Sequence, residues 1–190
     1  MTLGVYYFMS TDKKEIILIA LEQEAPNMAE WDNVFFTGVG KINAAMLATN
    51  LLDLHPDVTK IWNFGTAGGI TTDAGGLYKC TKFIQRDMLC TLKGVKLGET
   101  PFDTEPAMLD FGEGLTCSTG DNFVTDPSAP LLGDMVDMEA YAIAKVCKRM
   151  GVEFECWKYI SDKANEYSGG DWAANVANGE PHYAEKFNNG

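Results

Sequence analysis

Glu15-Ile16-Ile17-Leu18-Ile19-Ala20-Leu21 runs straight into Glu22-Gln23-Glu24-Ala25-Pro26, and this junction decides the fold. An unbroken apolar run of strand length is the pattern of a strand buried on both faces, as in a largely parallel sheet covered by helices. Carboxylates follow at its carboxyl end, where open α/β sheets gather their ligands. Further along, Val34-Phe35-Phe36-Thr37 predicts a second strand, and Gly38-Val39-Gly40-Lys41 a turn into a helix over Ile42 to Leu52. Such a glycine turn lets backbone approach a ligand or simply makes a tight connection. Ile61-Trp62-Asn63-Phe64 predicts the next strand, and Gly65-Thr66-Ala67-Gly68-Gly69-Ile70 a turn forming a pocket floor. Its spacing departs from the dinucleotide-binding fingerprint.

Leu77 to Met88 reads as a strand ending on Arg86 and Asp87, then a Gly- and Pro-punctuated loop to about Leu109. Gly114 to Thr119 and Phe154 to Ile160 complete the strands. The second of these ends on Ser161-Asp162. A helix is expected near Asp171 to Ala177, followed by a fraying tail over 179–190, while residues 1–14 read as an N-terminal arm or edge strand. The pattern predicts an α/β fold over 1–190, a single domain of three α/β/α layers with a central mixed, largely parallel sheet.

Val136-Asp137-Met138-Glu139-Ala140-Tyr141-Ala142-Ile143 places two acids where a run from Gly133 turns into a helix of small and apolar residues. Either Asp137 caps that helix and Glu139 satisfies its early N–H groups, or one of the two points into a site. With Glu22/Glu24 and Asp162, acids adjoin three separate strands. Strand ends of the same sense converge on one rim, and Phe123, just past the strand ending at Thr119, would share it.

Bulk composition narrows the partner. Fifteen Lys and Arg against 27 acids, a net charge of −12, exclude a phosphate-tracking nucleic-acid surface. No apolar run approaches a bilayer span. Five cysteines without a CxxC pair, none near His55 or His182 at zinc-ligand spacing, read as reduced core thiols. That odd count, with no secretory leader pattern, argues for a cytoplasmic protein binding a small molecule.

Six segments, in order, resemble the motif series of the purine nucleoside phosphorylase and nucleosidase superfamily: Leu21-Glu22-Gln23-Glu24, Thr37 to Lys41, Gly65 to Gly69, Ser118 to Val124, Val136 to Ala140 and Ile160-Ser161-Asp162. The methylthioadenosine/S-adenosylhomocysteine nucleosidases are the most similar branch. The resemblance spans about residues 16 to 178. It implies a compact nucleoside phosphorylase-like fold, no cofactor, no metal, a homodimer and a purine nucleoside as substrate. By the same resemblance Glu24 activates the attacking water, and Met138 and Glu139 hold the ribose. Phe123 stacks on the purine while the Val124 backbone reads its edge. Asp162, helped by Ser161 and shielded by Trp157, Tyr159 and Phe123, gives a proton to purine N7. Thr66, Ala67 and Gly68 line the substrate site, with Lys158, Arg86 and Gly40 on the side of the water or phosphate.

Phosphorolysis is the rival reaction. Phosphorylases of this superfamily hold phosphate with arginine forks; here only Arg86 and Arg149 exist, and Arg86 alone is a candidate. A nucleoside-binding protein without catalysis would be expected to lack Glu24 or Asp162, and both are present. Two departures from many bacterial relatives stand out. Lys158 occupies the position of an arginine, and the hairpin after the first glutamates is reduced to Pro26 to Asn33. The 5′ substituent of the substrate is open, with Leu92, Val95 and Leu97 as a candidate apolar wall.

Overall fold

The computed structural model describes residues 15–126, 128–130 and 133–190, so the expected arm or edge strand over 1–14 lies outside the described residues. Eight strands form among these residues: β1 (Glu15–Ile19), β2 (Val34–Phe36), β3 (Lys60–Gly69), β4 (Leu77–Gln85), β5 (Met108–Asp110), β6 (Leu115–Thr119), β7 (Met135–Asp137) and β8 (Glu153–Asp162). The helices are α1 (Lys41–Leu54), α2 (Ala140–Met150), α3 (Ser168–Asn175) and α4 (Glu180–Asn189). Among the described residues no helix is long and apolar enough to cross a membrane.

The sheet is mixed and largely parallel, with β1 parallel to both β2 and β3, β3 to β8, and β6 to both β4 and β7. Antiparallel pairs join β3 to β7, β4 to β5 and β4 to β8. Consequently β3, β8, β4, β6 and β7 close into a ring, from which β1 and β2 extend on one side and β5 on another. The ring was not visible in the sequence, because it depends on β7, three residues long, pairing with β3 at Gly68 and Gly69.

Helices cover both faces. Ile16 and Leu18 of β1 pack with Ala44, Ala48 and Leu51 of α1 and with Ile143 and Cys147 of α2. The alternate residues Ile17 and Ile19 pack with Trp62, Phe64 and Tyr183, the last from α4. This two-sided burial is why β1 reads as an unbroken apolar run. Cys80, Cys117, Cys147 and Cys156 are buried thiols.

Two expectations need correction. The segment Gly65 to Gly69 is not a turn but the second half of β3. Its glycines are required by β8 and its surroundings: a Cβ on Gly69 would lie 2.8 Å from Ile160 Cγ2, and one on Gly68 would lie 3.0 Å from Asp162 Oδ1. The expected tail over 179–190 is α4, with Pro181 in its first turn, where a missing N–H costs nothing. Tyr183, wholly buried, stacks on Phe64 at 5.2 Å between ring centroids.

Candidate active site

The carboxyl ends of β1, β3, β6, β7 and β8 surround a cavity of about 370 Å³ lined by Glu24, Thr66, Phe123, Met138, Glu139 and Asp162, among others. The three acidic elements expected to converge therefore do. Ala67, Gly68, Val124 and Ser161 also line it.

Glu24 closes a 3-10 turn, Glu22–Glu24, immediately after β1, and is only 3% exposed. Its Oε1 accepts from the Thr66 amide and from Thr66 Oγ1, both at 2.7 Å, and its Oε2 accepts from the Leu21 amide at 3.0 Å. The Trp172 indole N–H donates to Thr66 Oγ1 at 3.1 Å, extending the chain of donors to α3. A Cβ on Gly65 would make only ordinary contact, 3.4 Å from Glu24 Oε1 and 3.5 Å from Lys158 Nζ.

The two readings of Asp137 and Glu139 prove to be divided between the residues. Asp137, at the end of β7, does the capping, its Oδ2 accepting from the amides of Ala140 (2.8 Å) and Glu139 (3.2 Å). Thr119 Oγ1 donates to Asp137 Oδ1 at 2.6 Å and accepts from the Tyr141 amide. Glu139 is thereby released from the helix end, and its Oε1 instead accepts from the Gly40 amide at 2.8 Å. The neighbouring Lys41 amide donates to Asp121, so the positive end of α1 faces two carboxylates.

Lys158, 1% exposed, lies beneath the site and pairs with Asp137 at 3.0 Å. Burial works to lower the lysine pKa, but the Asp137 charge outweighs it and holds the ammonium well above its usual value. For Asp137, burial raises the carboxyl pKa, and Lys158 with the Thr119 and Ala140 donors brings it below normal. Glu139 goes the other way. Burial first, then the adjacent Asp137 charge, push it up from the ordinary 4.5 to about 8, against the opposing pull of Lys158 and the Gly40 amide.

A carboxyl whose pKa is raised by folding supports stability fully below its unfolded value near 4.5, and that support is lost as pH rises through about 8. Glu139→Gln should therefore match the parent in thermal stability at pH 5 and exceed it at pH 9, by several kcal/mol on the scale of ~1.4 kcal/mol per pKa unit. Equal melting profiles at pH 9 would contradict the protonated reading of Glu139.

At the other wall, Asp162 ends β8. Its Oδ2 accepts from Ser161 Oγ and its Oδ1 from the Ala164 amide, each at 2.9 Å. To present that amide Ala164 adopts a left-handed backbone, φ 50°, a conformation that costs a non-glycine residue about 1–2 kcal/mol. Ala164 packs with Val124 and Val136, which fixes the floor between Asp162 and the Phe123 loop. Phe123 itself is 45% exposed at the rim.

Several expectations do not hold in this geometry. Tyr159 and Trp157 pack on the opposite face of β8, around Tyr183, and do not shield Asp162. Leu92, Val95 and Leu97 do not line the cavity; Val39, Ala20 and Leu21 do. Arg86 reaches the cavity wall, but both its Nη atoms are engaged by backbone carbonyls. Trp172 was missed altogether, its only sequence signal being an aromatic in the short helix after Asp162. Among the described residues no group of His, Cys, Asp and Glu is arranged to hold a metal ion.

With this geometry in view, residues 33–189 match the phosphorylase superfamily. A curated relative, the 5′-methylthioadenosine/S-adenosylhomocysteine nucleosidase of Geobacillus kaustophilus, is 31% identical over 78% of this chain and 74% of its own length. The chain belongs to this nucleosidase family of the phosphorylase superfamily. Solved structures share the fold at lower identity. The Helicobacter pylori enzyme of the same name superposes with a TM-score of 0.78 at 19% identity, over 92% of this chain and 97% of that one. Futalosine hydrolase from the same organism gives 0.76 at 20%, over 85% and 90%.

Proposed function

We propose that this chain is a purine nucleosidase that hydrolyses the N-glycosidic bond of an adenine nucleoside of the methylthioadenosine or S-adenosylhomocysteine type. The products are adenine and the free ribose derivative. Cleavage passes through a ribosyl cation with oxocarbenium character, and a proton delivered to the base makes it a neutral leaving group. Glu24 takes a proton from the attacking water, Asp162 with Ser161 protonates N7, and Met138 with Glu139 holds the ribose hydroxyls. Phe123 stacks on the base and Val124 reads its edge.

The observation that carries hydrolysis over phosphorolysis is the occupation of the donors a phosphate would need. The Thr66 amide and hydroxyl are held by Glu24, the Gly40 amide by Glu139, the Lys41 amide by Asp121 and the Lys158 ammonium by Asp137. A phosphate dianion entering here would have to displace these carboxyl groups from their donors and meet the negative charge of Asp137 beside Lys158, whereas water meets neither obstacle.

The test is to incubate the protein with methylthioadenosine, S-adenosylhomocysteine, adenosine and inosine, with and without phosphate, and to separate the products by chromatography. Free base and free sugar, released at a rate indifferent to phosphate, are expected. Release that requires phosphate and yields a sugar 1-phosphate would replace this reading with phosphorolysis. A homodimer is part of the same proposal, and the exposed apolar side chains of Val39, Ile42, Met46, Leu89, Leu92 and Phe102 support it. Sedimentation at twice the chain mass is expected, and a monomer at micromolar concentration would remove the dimer from the proposal.

A further inference from the structure

Arg86 follows β4 directly and is 93% buried by its 7% exposure, yet it has no carboxylate partner within ion-pair distance among the described residues. Burial lowers its pKa from the usual arginine value, against the raising influence of Asp137 and Asp87. What holds it instead is backbone. Nη1 donates to the carbonyls of Ser118 (2.7 Å) and Asp137 (2.9 Å), and Nη2 to those of Gly120 (3.2 Å) and Asn122 (2.5 Å). All four terminal N–H bonds of the fork are thereby used, while Nε is buried without a partner. Gly120 is matched to this arrangement, because a Cβ there would lie 2.8 Å from the guanidinium carbon and 3.0 Å from Nε.

The four carbonyls belong to two segments that reach the cavity from different strands. Ser118, Gly120 and Asn122 lead into Phe123 and Val124; Asp137 leads into Met138 and Glu139. We infer that Arg86 is a positioning residue that fixes the base-recognition loop to the ribose-holding segment, setting the spacing between the walls that grip the two halves of the nucleoside. A planar guanidinium can bridge two pairs of carbonyls at once; a lysine ammonium, a single point of charge on a flexible stem, cannot. The inference rests on the nucleosidase reading for what the walls bind, but the clamp is a statement about backbone.

Arg86 touches neither Glu24 nor Asp162, which come from other strands. Loosening the clamp should therefore weaken binding more than chemistry. For Arg86→Lys and, separately, Gly120→Ala, two measurements are made on the whole chain. These are amide hydrogen exchange by peptide mass spectrometry, and kcat and KM for methylthioadenosine. Faster exchange confined to residues 118–124 and 135–139 is expected, with KM raised about tenfold or more and kcat changed less than about threefold, the pattern of lost uniform binding. Unchanged exchange and KM in both variants would overturn the clamp. So would loss of the folded state in both, which would make Arg86 a support of the whole fold. If the unaltered chain releases no base from any nucleoside, the nucleosidase reading fails, while the exchange pattern still decides whether the clamp exists.

Discussion

Asp162→Asn is expected to lower the rate of base release by about 10²–10⁴-fold, the range for loss of a positioned proton donor, while adenine binding stays within about threefold. The substitution isolates the proton. Asparagine has the same shape, its carbonyl oxygen can still accept from the Ala164 amide, and its amide can donate to Ser161 Oγ in reversal of the native bond. The left-handed turn at Ala164 and the packing of Val124 beside it thus have no reason to move. What is lost, on the proposed mechanism, is an acid beside the leaving base, without which the purine must depart with the bonding electrons and no compensating proton. Product release followed by chromatography gives the rate, and titration calorimetry with adenine gives the binding. Turnover within threefold of the parent would remove Asp162 from proton transfer altogether.

Glu24→Gln is expected to be comparably severe in turnover, about 10²–10⁴-fold, with a different accompanying signature. The carboxylate accepts three hydrogen bonds, two from Thr66 on one oxygen and one from the Leu21 amide on the other. A glutamine can keep the pair from Thr66, but its NH₂ then faces the Leu21 N–H, donor against donor. An unsatisfied buried donor costs about 1–3 kcal/mol, so this variant should also melt earlier, unlike Asp162→Asn. Adenine, proposed to stack on Phe123 away from Glu24, should bind to it nearly as before. A variant that retains turnover within threefold would show that the attacking water is activated elsewhere.

The elements that were legible in the sequence are those whose pattern is local. The unbroken run of β1 follows from burial on both faces, and the acids Glu24 and Asp162 follow strands strong enough to be read alone. The missed pieces depend on distant residues. Gly65 to Gly69 resembles a turn because its glycines suggest one, yet Gly68 and Gly69 are small because Asp162, Ile160 and Thr72 crowd the strand. β7 is too short to show a period, and exists because β6 and β3 pair with it on either side. The fraying signals after Gly179 were outweighed by one buried ring, Tyr183. In the site, Lys158 stands out in the sequence as a departure from relatives. Its partner Asp137 could not be deduced from sequence, since the two meet only across the folded ring.

The placement of α4 bears on how the protein is made. Glu180 at its start accepts from Asn27 Nδ2 at 2.7 Å and from the Met28 amide at 2.8 Å, groups 153 and 152 residues earlier that follow directly on the Glu24 turn. A ribosome delivers that turn about 150 residues before its brace, and over that interval the emerging polypeptide holds the Glu24 region without α4. Contacts this far apart in sequence also slow folding, because the intervening loop must close first.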